Sequence, residues 1–163
     1  HARRSVPALD ALDRNRQAIK NIFFLKEKQL PSKDLAAAYA NTLIAVIWNG
    51  DNQKPLFSNY WSGANGWFRV GYDDKGTGKP SEGVPPYGLT DSFPLGGYAA
   101  WAKYNNHVGV LGKRFYDSIN SSDPENMKFI DKYYENFSKK ASMQSNMIAK
   151  FTFYSSLVGV NIQ

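Results

Sequence analysis

From Asn59 to Asp74 the chain reads NYWSGANGWFRVGYDD, a run in which ten of the sixteen residues are aromatic, amide, cationic or acidic. Indole and phenol faces can stack on the C–H face of a sugar ring, while amides and carboxylates meet its hydroxyls with short directional hydrogen bonds. An arginine pairs bidentately with the carboxylate of an acidic sugar. A tyrosine beside it can then move a proton on the neighbouring carbon, once that negative charge is neutralised. On this chemistry the candidate catalytic residues are Tyr60 and Tyr72, for proton transfer, and Arg69, as carboxylate partner. The candidate substrate contacts are Asn59, Trp61, Asn65, Trp67 and Asp73, with Tyr87 and Trp101 closing on them. The reaction would be β-elimination or epimerisation of a polysaccharide.

Two other readings use the same residues. Loop tryptophans often fold inward and fasten a loop to its scaffold. Exposed Trp, Tyr and Arg also anchor protein interfaces, which would make this a non-catalytic interaction domain. Geometry separates the three. A sugar site needs at least two aromatics lining a concave groove. An interface presents them on a flat or convex patch, and a structural loop buries them all.

Other catalytic and binding motifs are missing. The sequence contains no GxGxxG, Walker loop, HExxH or GxSxG. Gly76-Thr77-Gly78-Lys79 lacks the spacing of a phosphate loop and is followed by Pro80, so it reads as a turn. Asp51, Asp73, Asp74, Glu82 and Asp91 are available for glycosidase-like chemistry, but that needs two carboxylates facing across roughly 5–10 Å. For Asp51 and Asp91, turn and cap roles are the default. With two histidines far apart and no cysteine, a His-rich or thiolate metal site, a disulfide and thiol catalysis are not expected, and no cofactor is implied.

The stretch that must carry this chemistry is Trp48–Tyr104, which holds all four tryptophans, ten of the 13 glycines and five of the eight prolines. Turn residues in that density break regular elements, and linkers lack such aromatics, so a folded functional loop at about 49–92 is expected. Helices flank it. Ser5 is placed to cap the first, with Pro7 in its opening turn and Leu9, Leu12, Ile19, Ile22 and Phe23 as its apolar stripe. Pro31 and Ser32 lead into a second, alanine-rich helix from about Lys33 to Trp48, making a helical hairpin. Asn49-Gly50 ends it.

Thr90 or Asp91 would cap a third helix running through Gly96-Gly97 to about Tyr104. Val108, Leu111, Phe115 and Ile119 mark the next. Ser122-Asp123-Pro124-Glu125 is a capping box opening a helix with Met127, Ile130, Tyr134 and Phe137 inward. A last helix is given the stripe Met143, Met147, Phe151, Tyr154 and Leu157, followed by an extended tail at 158–162. The expectation is therefore one all-α domain over 1–163, helical hairpins with one long aromatic- and glycine-rich loop region.

The net charge of +6 invites a nucleic-acid reading, but its distribution argues against one. Residues 48–104 carry five basic and five acidic side chains, while the excess lies on the flanking helices. A single-strand platform interleaves its aromatics with cations. No run of eighteen apolar residues exists for a membrane span. Opening on His1, not on Met, is expected of a processed chain or a piece of a longer one.

His1-Ala2-Arg3-Arg4 before a helix, YANTLIAVIWNG at 39–50 and PLFSNYWSGANGWFRVGYD at 55–73 together resemble the later hairpins of (α/α) toroid carbohydrate-active proteins, the polysaccharide lyases and uronate epimerases. The resemblance covers about residues 1–104. It implies a ring of stacked hairpins whose Trp-, Tyr- and Asn-rich loops line a sugar groove, and a periplasmic or secreted setting. It also implies groove roles for Asn59, Tyr60 and Trp61, with His1, Arg3 and Arg69 as partners. A complete toroid needs several more hairpins than 163 residues provide, so the chain reads either as the C-terminal part of a larger protein or as an unrelated small helical domain.

Overall fold

The computed structural model describes residues 2–67, 69–73 and 76–160. The chain is all-helical, and among the described residues there is no strand, only an isolated bridge between Trp48 and Phe57. Six α-helices are described: α1 (Ala2–Phe23), α2 (Asp34–Thr42), α3 (Ser92–Leu95), α4 (Asn106–Ile119), α5 (Pro124–Tyr133) and α6 (Met143–Leu157). No helix is long and apolar enough to cross a membrane among the described residues.

The centre of the fold is not one of these helices. It is a short 3₁₀ segment, Tyr98–Lys103, which contacts α1, α2, α3, α4 and α6. The expected third helix breaks here, because Gly97 turns left-handed (φ 76°) between α3 and the 3₁₀ turn. That kink sends Tyr98, Ala99, Trp101 and Ala102 into the interior together. Small residues let α4 lie close against them. A Cβ at Gly112 would come within 3.0 Å of Leu157 Cδ2, and one at Gly109 within 3.2 Å of the Ala102 Cβ.

Two buried clusters meet at this segment. One holds Leu43, Ile47, Phe57, Phe93, Trp101 and Leu111; the other holds Phe115, Phe129, Tyr134, Phe137, Ala149 and Phe153. The α4 stripe is buried as the spacing requires, at Val108, Leu111, Phe115 and Ile119. So are Ile130, Tyr134 and Phe137 after the α5 cap. That cap is Asp123 and not Ser122: its carboxylate accepts from Asn126 N at 2.9 Å. Asp91 caps nothing with its side chain. Its carboxylate instead accepts from Asn136 Nδ2 at 2.6 Å.

Three further elements differ from the sequence expectation. α1 starts at Ala2 and not at Ser5, which puts Pro7 inside the helix. The second helix runs as α only to Thr42 and finishes as a π-turn, Leu43–Ile47, closed by Trp48 N donating to Leu43 O at 2.9 Å. The wider turn admits one extra residue, which buries Leu43 and Ile47 together before the chain turns extended at Trp48. In α6 the expected stripe splits: Tyr154 and Leu157 pack against the core, but its first three members do not. Met143, Met147 and Phe151 stand in solvent, and Ala149 and Phe153 fill the core instead. The tail does not run on as a strand through 158–160, where Val160 N turns back to Leu157 O at 3.1 Å; residues 161–162 lie outside the described residues.

Candidate functional site

The long loop has an inner part built into the core and an outer part that projects from it. The inner part enters as Pro55, Leu56 and Phe57, all buried. Asn49 N donates to Leu56 O at 3.0 Å and Ser58 N to Ile47 O at 2.9 Å, tying the entry to the π-turn. Tyr134 OH donates to Pro55 O at 2.6 Å from the far side. Burial, with the nearby Asp91 charge adding to it, raises that phenol well above its ordinary range, so it stays a donor. Thr90, fully buried, donates its hydroxyl to Phe57 O at 3.3 Å and accepts from Phe57 N at 3.4 Å, joining the two ends of the loop.

Two of the candidate sugar contacts form a neck where the outer part begins. Asn65 Oδ1 accepts from Asn59 N at 3.2 Å and from Tyr87 N at 3.1 Å. Asn59 spans the same gap, donating Nδ2 to Pro85 O at 2.9 Å and accepting from Leu89 N at 3.4 Å. Their amides serve backbone groups, as asparagines in turns commonly do. Tyr87, at φ 61°, is half-buried and packs its ring against the Phe115 cluster.

Trp101 is fully buried and out of a ligand's reach, with its Nε1 unpartnered. Trp61 leans into the same cluster, its ring 5.6 Å from Tyr39 and 6.1 Å from Tyr98. These two tryptophans fasten the loop to the scaffold. Trp48 packs its ring at a tilt against His107, 4.7 Å between centroids, and donates Nε1 to Asp51 O at 3.3 Å.

Beyond the neck the chain leaves the body. Trp67 is 82% exposed and Tyr72 63%, with Val70 exposed between them. Among the described residues of 67–72 there is no strand or helix, only a turn closed by Tyr72 N donating to Arg69 O at 3.2 Å. Trp67 (φ 55°) and Arg69 (φ 53°) both take left-handed backbone, which costs a side-chain-bearing residue about 1–2 kcal/mol. A pair of bonds holds the base of this excursion: Gly71 N donates to Ser81 O at 2.9 Å and Ser81 N to Tyr72 O at 2.6 Å. The Arg69 guanidinium sits 5.5 Å from the Tyr72 ring centroid, a cation–π arrangement at an exposed site.

Asp73 closes the following turn, accepting from Thr77 N at 2.8 Å and Gly78 N at 2.6 Å. Gly76 and Gly78 take left-handed φ there, so the GTGK run is a turn. Tyr60 lies at the base of the excursion, at the edge of exposure, its own turn closed by Gly63 N donating to Tyr60 O at 3.0 Å. Asp74 and His1 lie outside the described residues.

The candidate residues thus part into two sets. Trp67, Arg69 and Tyr72 come together on a protruding, solvent-facing loop. Asn59, Trp61, Asn65, Tyr87 and Trp101 hold that loop in place. Val70, absent from the sequence-based set, belongs with the first; it follows the arginine between two exposed aromatics, which is the signal that was there to find. A cleft between α1 and α2, lined by Leu9, Leu12, Asp13, Arg16 and Leu35, has about 10 Å³ of room, enough for one water and no sugar. Among the described residues no group of three His, Asp or Glu side chains could hold a metal. Comparison with protein-family models, curated proteins and solved structures finds no match to this chain.

Proposed function

We propose that this chain is a non-catalytic binding domain and that the loop Trp67–Tyr72 is its contact with a protein partner. One observation carries the reading: a tryptophan left 82% exposed on strained left-handed backbone, with Arg69 and Tyr72 beside it. Exposed indole and positive φ are both unfavourable for the isolated domain, and such costs concentrate at binding surfaces. Trp, Tyr and Arg are also the side chains that most often dominate an interface. A loop that stands exposed at Trp67, Val70 and Tyr72 favours this reading over β-elimination or epimerisation, which would need Tyr60 or Tyr72 to face a sugar enclosed in a groove. Asn59 and Asn65, in this reading, are the mounting and not the contact.

The test places a photo-crosslinking benzoylphenylalanine at position 67 in the intact chain, in extracts of its source. The expected result is a discrete protein adduct, lost on Arg69→Ala or Tyr72→Ala and absent when the probe sits at Lys150. With the partner purified, Trp67→Ala should weaken binding by roughly 30-fold or more, the range of a hot-spot truncation. In parallel, tryptophan fluorescence is followed while neutral polysaccharides and uronate oligosaccharides are titrated. A saturable change abolished by Trp67→Ala would overturn the protein-partner reading and restore the toroid-type polysaccharide ligand.

A further inference from the structure

The far end of α1 leaves large apolar side chains bare. Ile22 and Phe23 belong to the stripe expected to face inward, yet they are 67% and 65% exposed, and Phe24 beside them is 92% exposed. α1 meets the body along its first half: Leu9 packs against the Trp101 cluster, Lys103 pairs with Asp10, and Tyr104 OH donates to Asp13 at 3.0 Å. Past that, the helix is held through Glu27, whose carboxylate takes Arg16 Nε at 2.5 Å and Lys20 Nζ at 2.9 Å. Residues 22–24 lie on the stretch of chain that these ties close.

The backbone adds a second cost. α1 ends with Leu25 N donating to Lys20 O at 3.0 Å, a closure in which the residue before the donor is left-handed and most often glycine. Here that residue is Phe24, at φ 54°. A ring presented to water on left-handed backbone is unfavourable twice over in the isolated chain, and such costs collect at binding surfaces.

We infer that residues 22–24 seat in the interfacial layer of an anionic lipid bilayer, with Lys26 and Lys28 on its headgroup phosphates. Charge is the first reason. Residues 15–31 carry Arg16, Lys20, Lys26 and Lys28 against the single carboxylate of Glu27, half of the chain's net +6. Arg16 and Lys20 occupy that carboxylate, so Lys26 and Lys28, both exposed, have no acidic partner among the described residues. Asp13 and Asp34, the next acidic residues in each direction, are bonded to Tyr104 and Ser32. Bare ammoniums beside a bare apolar tip match the two layers of a bilayer surface, and lysine stems are long enough to keep the charge at phosphate level.

The second reason is direction. Ile22 and Phe23, successive residues of α1, leave the helix axis about 100° apart, so they do not share a face. Phe24 follows past the last turn. A folded partner would need a socket around the helix end to cover all three, whereas a fluid interface surrounds them without one. The chain would lie on the bilayer and not cross it, since among the described residues no helix is long and apolar enough. This surface uses no residue of the Trp67 loop, so either reading can fail alone.

The chain has no cysteine, so Asn21→Cys, exposed and next to the tip, takes a single nitrobenzoxadiazole label whose emission reports its surroundings. Vesicles of phosphatidylcholine mixed with phosphatidylserine should shift that emission to the blue, and phosphatidylcholine alone should not. The same label on Ser122→Cys, at the α4–α5 turn, should stay silent. Lys26→Gln and Lys28→Gln should each lower the partition coefficient about fivefold, and added salt should lower it further. Phe24→Gly should lower it about tenfold or more while melting no lower than the parent, because glycine suits the left-handed cap. Vesicles that leave the label at position 21 silent would overturn the inference, and a label that then responds to polyglutamate would hand the patch to an acidic protein. Binding undiminished in Phe24→Gly would overturn it too, as would a Phe24→Gly that melts below the parent, which would make Phe24 a residue of the fold.

Discussion

Replacing Asn65 with alanine removes a single oxygen that serves two backbone N–H groups, those of Asn59 at 3.2 Å and Tyr87 at 3.1 Å. Both bonds are part-buried, so neither donor is fully rescued by water. Leaving a buried donor unsatisfied costs about 1–3 kcal/mol, and partial burial argues for the low end, which gives about 2 kcal/mol for the pair. For a chain of this size each kcal/mol lowers the melting temperature by about 2–4 °C, so Asn65→Ala should melt about 6 °C below the parent. Asn65→Asp keeps an acceptor oxygen in the same place and should stay within about 0.5 kcal/mol of the parent.

Calorimetry measures the difference, and amide hydrogen exchange locates it. The Asn59 and Tyr87 amides should lose protection in Asn65→Ala, while those of α4 exchange as before. A loss below about 0.5 kcal/mol in Asn65→Ala would show that the neck is not held by this oxygen. So would an Asn65→Asp variant as unstable as Asn65→Ala.

Tyr134→Phe removes the hydroxyl that reaches Pro55 O at 2.6 Å and leaves that buried carbonyl unpaired; an unfolding titration should show a loss of about 1–2 kcal/mol, and an unchanged midpoint would argue against this tie. Burial raises the Asp91 carboxyl above its ordinary value, against the hydrogen bond from Asn136, and the neighbouring Glu135 charge adds to the rise. The folded chain therefore binds more protons than the unfolded chain between the two values; stability falls as pH rises through that window, and the deficit is complete above the folded value. Asp91→Asn should melt higher than the parent at neutral pH, with the gap closing on acidification below the ordinary aspartate range. A gap independent of pH would refute the assignment.

What could be read without coordinates was whatever neighbouring residues settle among themselves. Apolar spacing marked α4 and its inward face, because the residues between Val108, Leu111, Phe115 and Ile119 are mostly polar or glycine, with Val110 and Tyr116 the exceptions. The α5 start was legible to within one residue, since Asp123 and Pro124 act on the backbone right beside them. Composition was enough to show that 49–92 folds as something other than a linker. That the loop would hold itself with asparagines was not legible, because Asn65 reaches Tyr87 across twenty-two positions and an exposed and a stapling asparagine look alike in a sequence.

Long-range packing decided the rest. Four tryptophans share one stretch, yet Trp101 is sealed in the core, Trp48 and Trp61 lean on it, and Trp67 alone stands 82% exposed. Nothing local distinguishes them; which indole is buried depends on where the 3₁₀ segment Tyr98–Lys103 meets α2 and α4. In α6 the periodicity offers two apolar sides, and contact with α3 and the central segment chose Ala149 and Phe153 over Met147 and Phe151. A helix apolar on both sides carries no internal record of which one is inside. That is supplied by the shape of the space it fills, which is a property of the whole chain.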